Sequence, residues 1–154
     1  MFVELDPPLH LQSLENGDID ALFTYEPTLT LGKVKSGFVQ ISTSIYAMQQ
    51  TPNPIGVAAA NSKWVDENPH AANAFFQAID KAVEFIRTNP EEAKQILARS
   101  TNLDADVAKA MHIMPLSKST EIDFKSLEAY LRVLKDLGEI NELPSAKDLC
   151  IQPR

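Results

Sequence analysis

Three side chains that could contact a ligand stand close together in the stretch Tyr25-Glu26-Pro27-Thr28, which offers an aromatic ring, a carboxylate and a hydroxyl. The stretch follows Ile19 to Tyr25, an apolar run of strand length that Pro27 ends because proline lacks an N–H for a ladder. In an open α/β sheet, ligands bind at the carboxyl ends of the strands. We therefore predict ligand contacts at Tyr25, Glu26 and Thr28. The alternative is that Tyr25 packs inward and Glu26 is solvated.

A second group of hydroxyls, Ser42-Thr43-Ser44, follows the predicted strand Phe38 to Ser42. Ser42 and Thr43 are candidates for bonding a ligand oxygen. The alternative is that this run serves turns and backbone bonds, as Ser and Thr often do.

The sequence contains no recognisable catalytic motif. The three histidines have no motif around them, and the glycines are scattered rather than gathered into a phosphate loop. We expect His10, at the start of a predicted helix, to be solvated or to cap that helix. Cys150 is the single cysteine, which excludes an intramolecular disulfide and a cysteine-based zinc site. The net charge of −7 argues against a nucleic-acid partner. These features favour binding without chemistry, and we expect no enzyme activity, no cofactor and no metal.

The elements that must position these residues change character along the chain. Strands are predicted at Phe2–Leu5, Ile19–Tyr25, Phe38–Ser42 and Ile55–Ala60. From residue 62 onward the pattern is almost all helical. Ser62, Asp104 and Asp123 are predicted helix caps, and Gly17 and Gly138 are predicted helix ends. Helices are predicted at 8–15, 28–35, 69–88, 90–98, 105–111 and 124–137, and Ser62 is expected to begin a short helix that contains Trp64 and Val65. The long helix opened by Pro69 is expected to be well buried. The fold class is α/β with a helix-rich carboxyl-terminal part.

Four stretches in this order resemble a known family. They are Leu14-Glu15-Asn16-Gly17-Asp18-Ile19-Asp20-Ala21 with the following Glu26-Pro27, the segment from Phe38 to Ser42, the segment from Ala59 to Pro69, and the segment from Ala78 to Ala93. They resemble the solute-binding proteins of ABC-type importers, in the class for nitrate, alkanesulfonates, taurine and thiamine-precursor pyrimidines. The resemblance implies a periplasmic-binding-protein-like fold of type II, here a partial two-lobed structure.

The resemblance also implies an organisation and a function. Residues 1–40 would belong to the second lobe, 41–54 to the crossover or hinge, 55–140 to the first lobe, and 141–154 to a loosely attached tail. The function implied is capture of a small organic solute for an ABC permease, in the periplasm or at the cell surface. Tyr25 and Glu26 are the positions that the family places at the cleft between lobes.

The amino terminus lacks the basic start and long apolar core of a signal peptide. Since the match begins in the middle of the second lobe, we expect the chain to be the carboxyl half of a binding protein. Apolar faces would then be exposed, and a homo-oligomer could cover the missing half. Two alternatives stay open: an enzyme resembling thiamine-pyrimidine synthases, which Cys150 alone does not support, and a helical protein-interaction module without a ligand.

Overall fold

The computed structural model describes residues 1–42 and 54–151. Within these ranges the chain forms a short 3-10 turn at Pro7–Leu9 and eight α-helices. We number the helices α1 His10–Asn16, α2 Thr28–Lys35, α3 Ser62–Glu67, α4 Pro69–Thr88, α5 Pro90–Thr101, α6 Ala105–Ala110, α7 Phe124–Asp136 and α8 Ala146–Leu149. None of the helices in the described ranges is both long enough and apolar enough to cross a membrane.

Two glycines end helices as the sequence predicts. Gly17 has φ 75°, and the amides of Gly17 and Asp18 donate to the carbonyls of Leu14 and Ser13 at 3.3 and 2.9 Å. Gly138 has φ 78° and closes α7 with the same pair of backbone bonds. This arrangement satisfies carbonyls that a helix end leaves without partners, and glycine reaches the positive φ at low cost.

Carboxylate caps begin two of the later helices. The Asp104 side chain accepts a bond from the Asp106 amide at 2.9 Å, and Asp123 accepts from the Ser126 amide at 3.1 Å. Both caps were predicted, because short acceptor side chains satisfy the first amides of a helix. Helix α3 is capped by Asn61, whose Oδ1 accepts from the Trp64 amide, and not by Ser62.

The four predicted strands are absent from the described residues, which contain no β-strand. The structure therefore does not confirm the predicted strands, and the α/β two-lobed fold stays a prediction. A strand is stabilised by backbone bonds to a neighbour, and an apolar run does not carry that neighbour with it. The segments 1–6 and 38–42 are irregular backbone, with Val39 and Ile41 exposed.

Contacts divide the chain into two compact units. Unit 1 contains Met1–Ile41 and Ile86–Met114. Its helix α6 packs on α5 and α2, and α1 packs on α2. Val107 is fully buried there, and Gly32 lets α2 lie against Phe38 and Leu11. A Cβ at Gly32 would stand 2.7 Å from the Phe38 ring.

Unit 2 contains Ser42–Phe85 and Pro115–Arg154. The buried apolar side chains among its described residues include Ala72 and Val83 on α4. Phe75 and Ile79, on the face of α4 that was predicted to be well buried, are 49% and 42% exposed. That expectation was therefore wrong: amphipathic spacing creates an apolar face, but burial also needs a partner surface.

The carboxyl-terminal segment is more ordered than the predicted loose tail. Helix α8 packs on α7, and Ala146 is fully buried. The small side chain of Ala146 allows this close packing. A helix of only four residues is too short for apolar periodicity to predict it from the sequence. The assignment of residue ranges to two lobes stays a prediction.

Candidate functional site

The loop between α1 and α2 in unit 1 is held by a buried histidine. His10 is 8% exposed, its Nε2 lies 3.0 Å from the Leu5 carbonyl oxygen, and its Nδ1 lies 3.3 Å from Thr24 Oγ1. A carbonyl oxygen only accepts, so Nε2 donates to Leu5, and in the neutral ring Nδ1 then accepts from the Thr24 hydroxyl. The sequence suggested a solvated or capping histidine here. No local pattern signals the burial, because Leu5 and Thr24 come from opposite sides of α1.

Residues Tyr25 to Thr28, which we call the α1–α2 corner, lead from the loop after α1 into helix α2. The Glu26–Pro27 peptide bond is cis. The Glu26 carboxylate accepts from the Thr30 amide at 3.1 Å and from Thr30 Oγ1 at 2.9 Å, and Thr30 is 5% exposed. In addition, the Leu29 amide donates to the Tyr25 carbonyl. Two of the first amides of α2 are therefore satisfied inside the chain.

Both parts of the alternative interpretation of this corner are contradicted. Tyr25 does not pack inward, since it is 61% exposed. Glu26 is half-buried and bonded to Thr30, not solvated. Glu26 thus stabilises the start of α2, a role that the sequence did not assign to it. The signal for this role was the Glu26 to Thr30 spacing, which places a carboxylate one turn before a helical amide and hydroxyl.

Two aromatic side chains at or just before this corner are exposed. Phe23 is 57% exposed and Tyr25 is 61% exposed, while Thr28 is half-buried. Exposed aromatic rings offer apolar area with little rotamer entropy to lose, and the Tyr25 hydroxyl adds a polar end. The structure therefore brings together three predicted ligand residues, Tyr25, Glu26 and Thr28, and adds Phe23.

The two other predicted ligand residues, Ser42 and Thr43, follow later in the sequence. Ser42 is exposed and is assigned to unit 2. Thr43 lies outside the described residues, as does nearly all of the predicted crossover. Ligand contact at Tyr25, Glu26, Thr28, Ser42 and Thr43 stays a prediction.

An ion pair fixes the far end of α2. Lys35 Nζ lies 2.8 Å from Asp104 Oδ2, at the cap of α6. The hydrogen bond from Lys35 lowers the pKa of Asp104, with a further contribution from the Asp106 amide, and the Asp104 carboxylate raises the pKa of Lys35. Both side chains are more than two-fifths exposed, so this pair aligns α2 and α6 more than it stabilises them. Among the described residues, no cluster of His, Cys, Asp and Glu could hold a metal ion.

A comparison with models of known protein families shows which family the chain is related to. The sequence model of the NMT1-like family matches residues 1–101. The chain belongs to the NMT1-like family. The matched region includes the whole α1–α2 corner and ends at the last residue of α5. The resemblance recognised in the sequence is confirmed, and membership implies a periplasmic-binding-protein-like fold.

One relative of this NMT1-like chain is a protein of Bacillus subtilis (strain 168) named "Putative aliphatic sulfonates-binding protein". The two are 26% identical over 111 residues, which cover 70% of this chain and 31% of the relative. The chain thus spans about a third of the length of this relative. No solved structure gave a significant match.

Proposed function

We propose that this chain serves as a solute-binding component, or part of one, of an ABC-type importer, and that it captures a small organic solute without chemistry on it. The observation that carries the proposal is the NMT1-like match over residues 1–101, which includes the exposed aromatic corner. The proposed architecture is the α/β two-lobed fold of periplasmic-binding-protein type. The synthase-like alternative has no support from the residues, since Cys150 is the single cysteine.

The candidate solutes are an aliphatic sulfonate, nitrate and a thiamine-precursor pyrimidine. The name of the Bacillus subtilis relative favours the sulfonate. The local charge bears on how a sulfonate would lie. Because the Glu26 carboxylate already accepts from the Thr30 amide at the start of α2, a second anion at that helix end would meet like-charge repulsion. We therefore propose that the aliphatic part of the solute contacts Phe23 and Tyr25, with Thr28 as a hydroxyl donor.

The test is calorimetric titration of the full 154-residue chain with ethanesulfonate, nitrate and an aminopyrimidine. Tyr25→Ala is expected to weaken the bound probe about tenfold, through loss of aromatic contact, with little change in unfolding free energy. Phe2→Ala is the matched control, since Phe2 is a fully exposed aromatic of the same unit outside the corner. Absence of binding by all three probes, or equal losses in both variants, would overturn the proposal.

The partner and compartment follow from the same proposal. A solute-binding component delivers its solute to an ABC permease, and it works in the periplasm or attached to the cell surface. Pull-down of a permease by the full chain, with Tyr25→Ala as a variant that should retain permease contact, tests this step separately from solute binding. Failure to retain any permease in the presence of bound solute would count against it.

Self-association is a further part of the proposal. It is supported by apolar side chains that the described residues leave exposed, among them Val39 and Ile41 in unit 1 and Phe75 in unit 2. Sedimentation velocity over a concentration series is the measurement. A chain that remains monomeric at every concentration would contradict the proposed self-association.

A further inference from the structure

Unit 2 contains an open groove that shares no residue with the α1–α2 corner. It has a volume of about 300 Å³ and is lined by Glu128, Arg132, Leu143, Pro144 and Ser145. The first two residues are on α7, and the last three immediately precede α8. The packing of α8 on α7, with Ala146 fully buried, fixes these two walls relative to each other.

The two charged residues of the groove are not used by the rest of the described chain. Glu128 and Arg132 are four residues apart on one helix, a spacing at which such side chains commonly form an ion pair. Across residues 1–42 and 54–151, neither the Glu128 carboxylate nor the Arg132 guanidinium has a hydrogen bond or an ion pair. A carboxylate and a guanidinium therefore line the same groove, each without a partner among the described residues.

The opposite wall adds a hydroxyl and apolar surface. Ser145 occupies the cap position of α8, where serine normally accepts a bond from a helix amide, yet its side chain makes no cap bond. Leu143 is 43% exposed, and Pro144 is half-buried beside it. The groove thus combines an anion, a cation, a hydroxyl and an aliphatic patch within a volume at the small end of the range for ligand pockets.

We propose that this groove binds a small aliphatic zwitterion of amino-acid type. The ammonium group is bound by the Glu128 carboxylate, the carboxylate group by the Arg132 guanidinium and the Ser145 hydroxyl, and the aliphatic part packs on Leu143 and Pro144. A guanidinium suits a carboxylate because it can donate two parallel hydrogen bonds to it. A ligand with a single charge would leave one of the two protein charges without a partner, so both charges of the ligand contribute to selectivity.

The experiment is a ¹H–¹⁵N titration of the full chain with L-leucine, which reports directly on the amides near Ser145. We expect saturable shifts at residues 143–146 with a Kd below about 10 mM. Arg132→Gln and Glu128→Gln are each expected to weaken L-leucine about tenfold, the loss typical of one charge-assisted bond. Lys135→Gln, also on α7 but outside the groove, is the matched control and should bind as the parent chain does.

Two single-charge probes distinguish recognition from a structural effect. L-Leucine methyl ester keeps the ammonium alone, so it should bind Arg132→Gln as well as it binds the parent chain. N-Acetyl-L-leucine keeps the carboxylate alone, so it should be insensitive to Glu128→Gln. If one variant fails to fold by circular dichroism, the other carries the test alone.

The proposal is overturned if L-leucine gives no saturable shift at residues 143–146, or if a folded variant weakens all three probes equally. It does not rest on the proposed solute site. Tyr25→Ala should leave L-leucine binding unchanged, so failure of one proposal does not entail failure of the other.

Discussion

The α1–α2 corner and the α7–α8 groove differ in whether their polar side chains have hydrogen-bond partners within the chain. In the corner, Glu26 is bonded to Thr30, and His10 joins Leu5 to Thr24. In the groove, Glu128 and Arg132 have no partner among the described residues. Satisfied polar groups fix a structure, whereas unsatisfied ones at a concave surface are available to a ligand. Residue type alone would have ranked the two carboxylates, Glu26 and Glu128, as equal candidates.

The largest effect on stability is expected from replacing His10, which holds the loop that leads to the corner. His10→Ala removes two hydrogen bonds and leaves the Leu5 carbonyl and the Thr24 hydroxyl without their partner. We expect a loss of about 2 kcal/mol in unfolding free energy. Urea denaturation followed by circular dichroism measures it, with the exposed His112 as control. Equal losses for His10→Ala and His112→Ala would show that the buried bonds do not matter.

A smaller loss is expected from Gly32→Ala. The added Cβ would clash with the Phe38 ring at 2.7 Å, which costs more than the better helix propensity of alanine returns. We expect a net destabilisation of about 1 kcal/mol in the same assay. The control is Gly56→Ala, because an added Cβ there has no neighbour within 4 Å. A Gly32→Ala protein as stable as the parent would mean that Phe38 moves aside without cost.

The third prediction concerns pH and a polar contact inside unit 2. The Ser119 amide and hydroxyl donate to the Asp80 carboxylate at 2.6 and 2.7 Å, and these bonds, helped by Lys118, lower the pKa of Asp80. A carboxyl with a lower pKa in the folded state stabilises above its unfolded pKa, near 4, and loses that contribution as the pH falls through the folded value.

Asp80→Asn should therefore reduce the decrease in stability between pH 6 and pH 2. Urea midpoints at a series of pH values measure it. Asp66→Asn, at an exposed position of the same unit, is the matched control. An unchanged pH profile for Asp80→Asn would contradict the assigned role of the Ser119 bonds.

The smallest effect on stability is expected from the groove. Because Glu128 and Arg132 make no bonds within the described residues, Glu128→Gln and Arg132→Gln should each change the unfolding free energy by less than about 0.5 kcal/mol. A loss above about 1 kcal/mol in either variant would show a structural role and would remove the contrast with the corner.

The sequence predicted the helical part of the fold with good accuracy. Helix α4 begins and ends where it was predicted, and the caps Asp104 and Asp123 were recognised in advance. Helix α5 extends to Thr101, past the predicted end, because Asn102 supplies a positive φ of 53° that stops it. The family relationship was also evident in the sequence, and the match over residues 1–101 confirms it.

The ligand role of the predicted site residues stays a prediction, and the sequence did not reveal the structural role of Glu26. Tyr25, Glu26 and Thr28 do lie at one corner, with the tyrosine exposed. That the Glu26 carboxylate would be bonded to Thr30 did not follow from the Glu-Pro motif. The groove was missed entirely, since Glu128 and Arg132 look like an ordinary surface pair until residues 143–145 are placed beside them.

By itself, the sequence determined most helix starts and the glycine stops, because each depends on residues within a few positions of one another, and it also indicated the family. The tertiary structure alone decided that His10 is buried, that Phe75 and Ile79 remain exposed, and that Glu26 is engaged while Arg132 is not. The physical reason is the range of the interactions. Caps and turns are completed locally, whereas burial, strand pairing and the satisfaction of a buried polar group require a partner from a distant part of the chain.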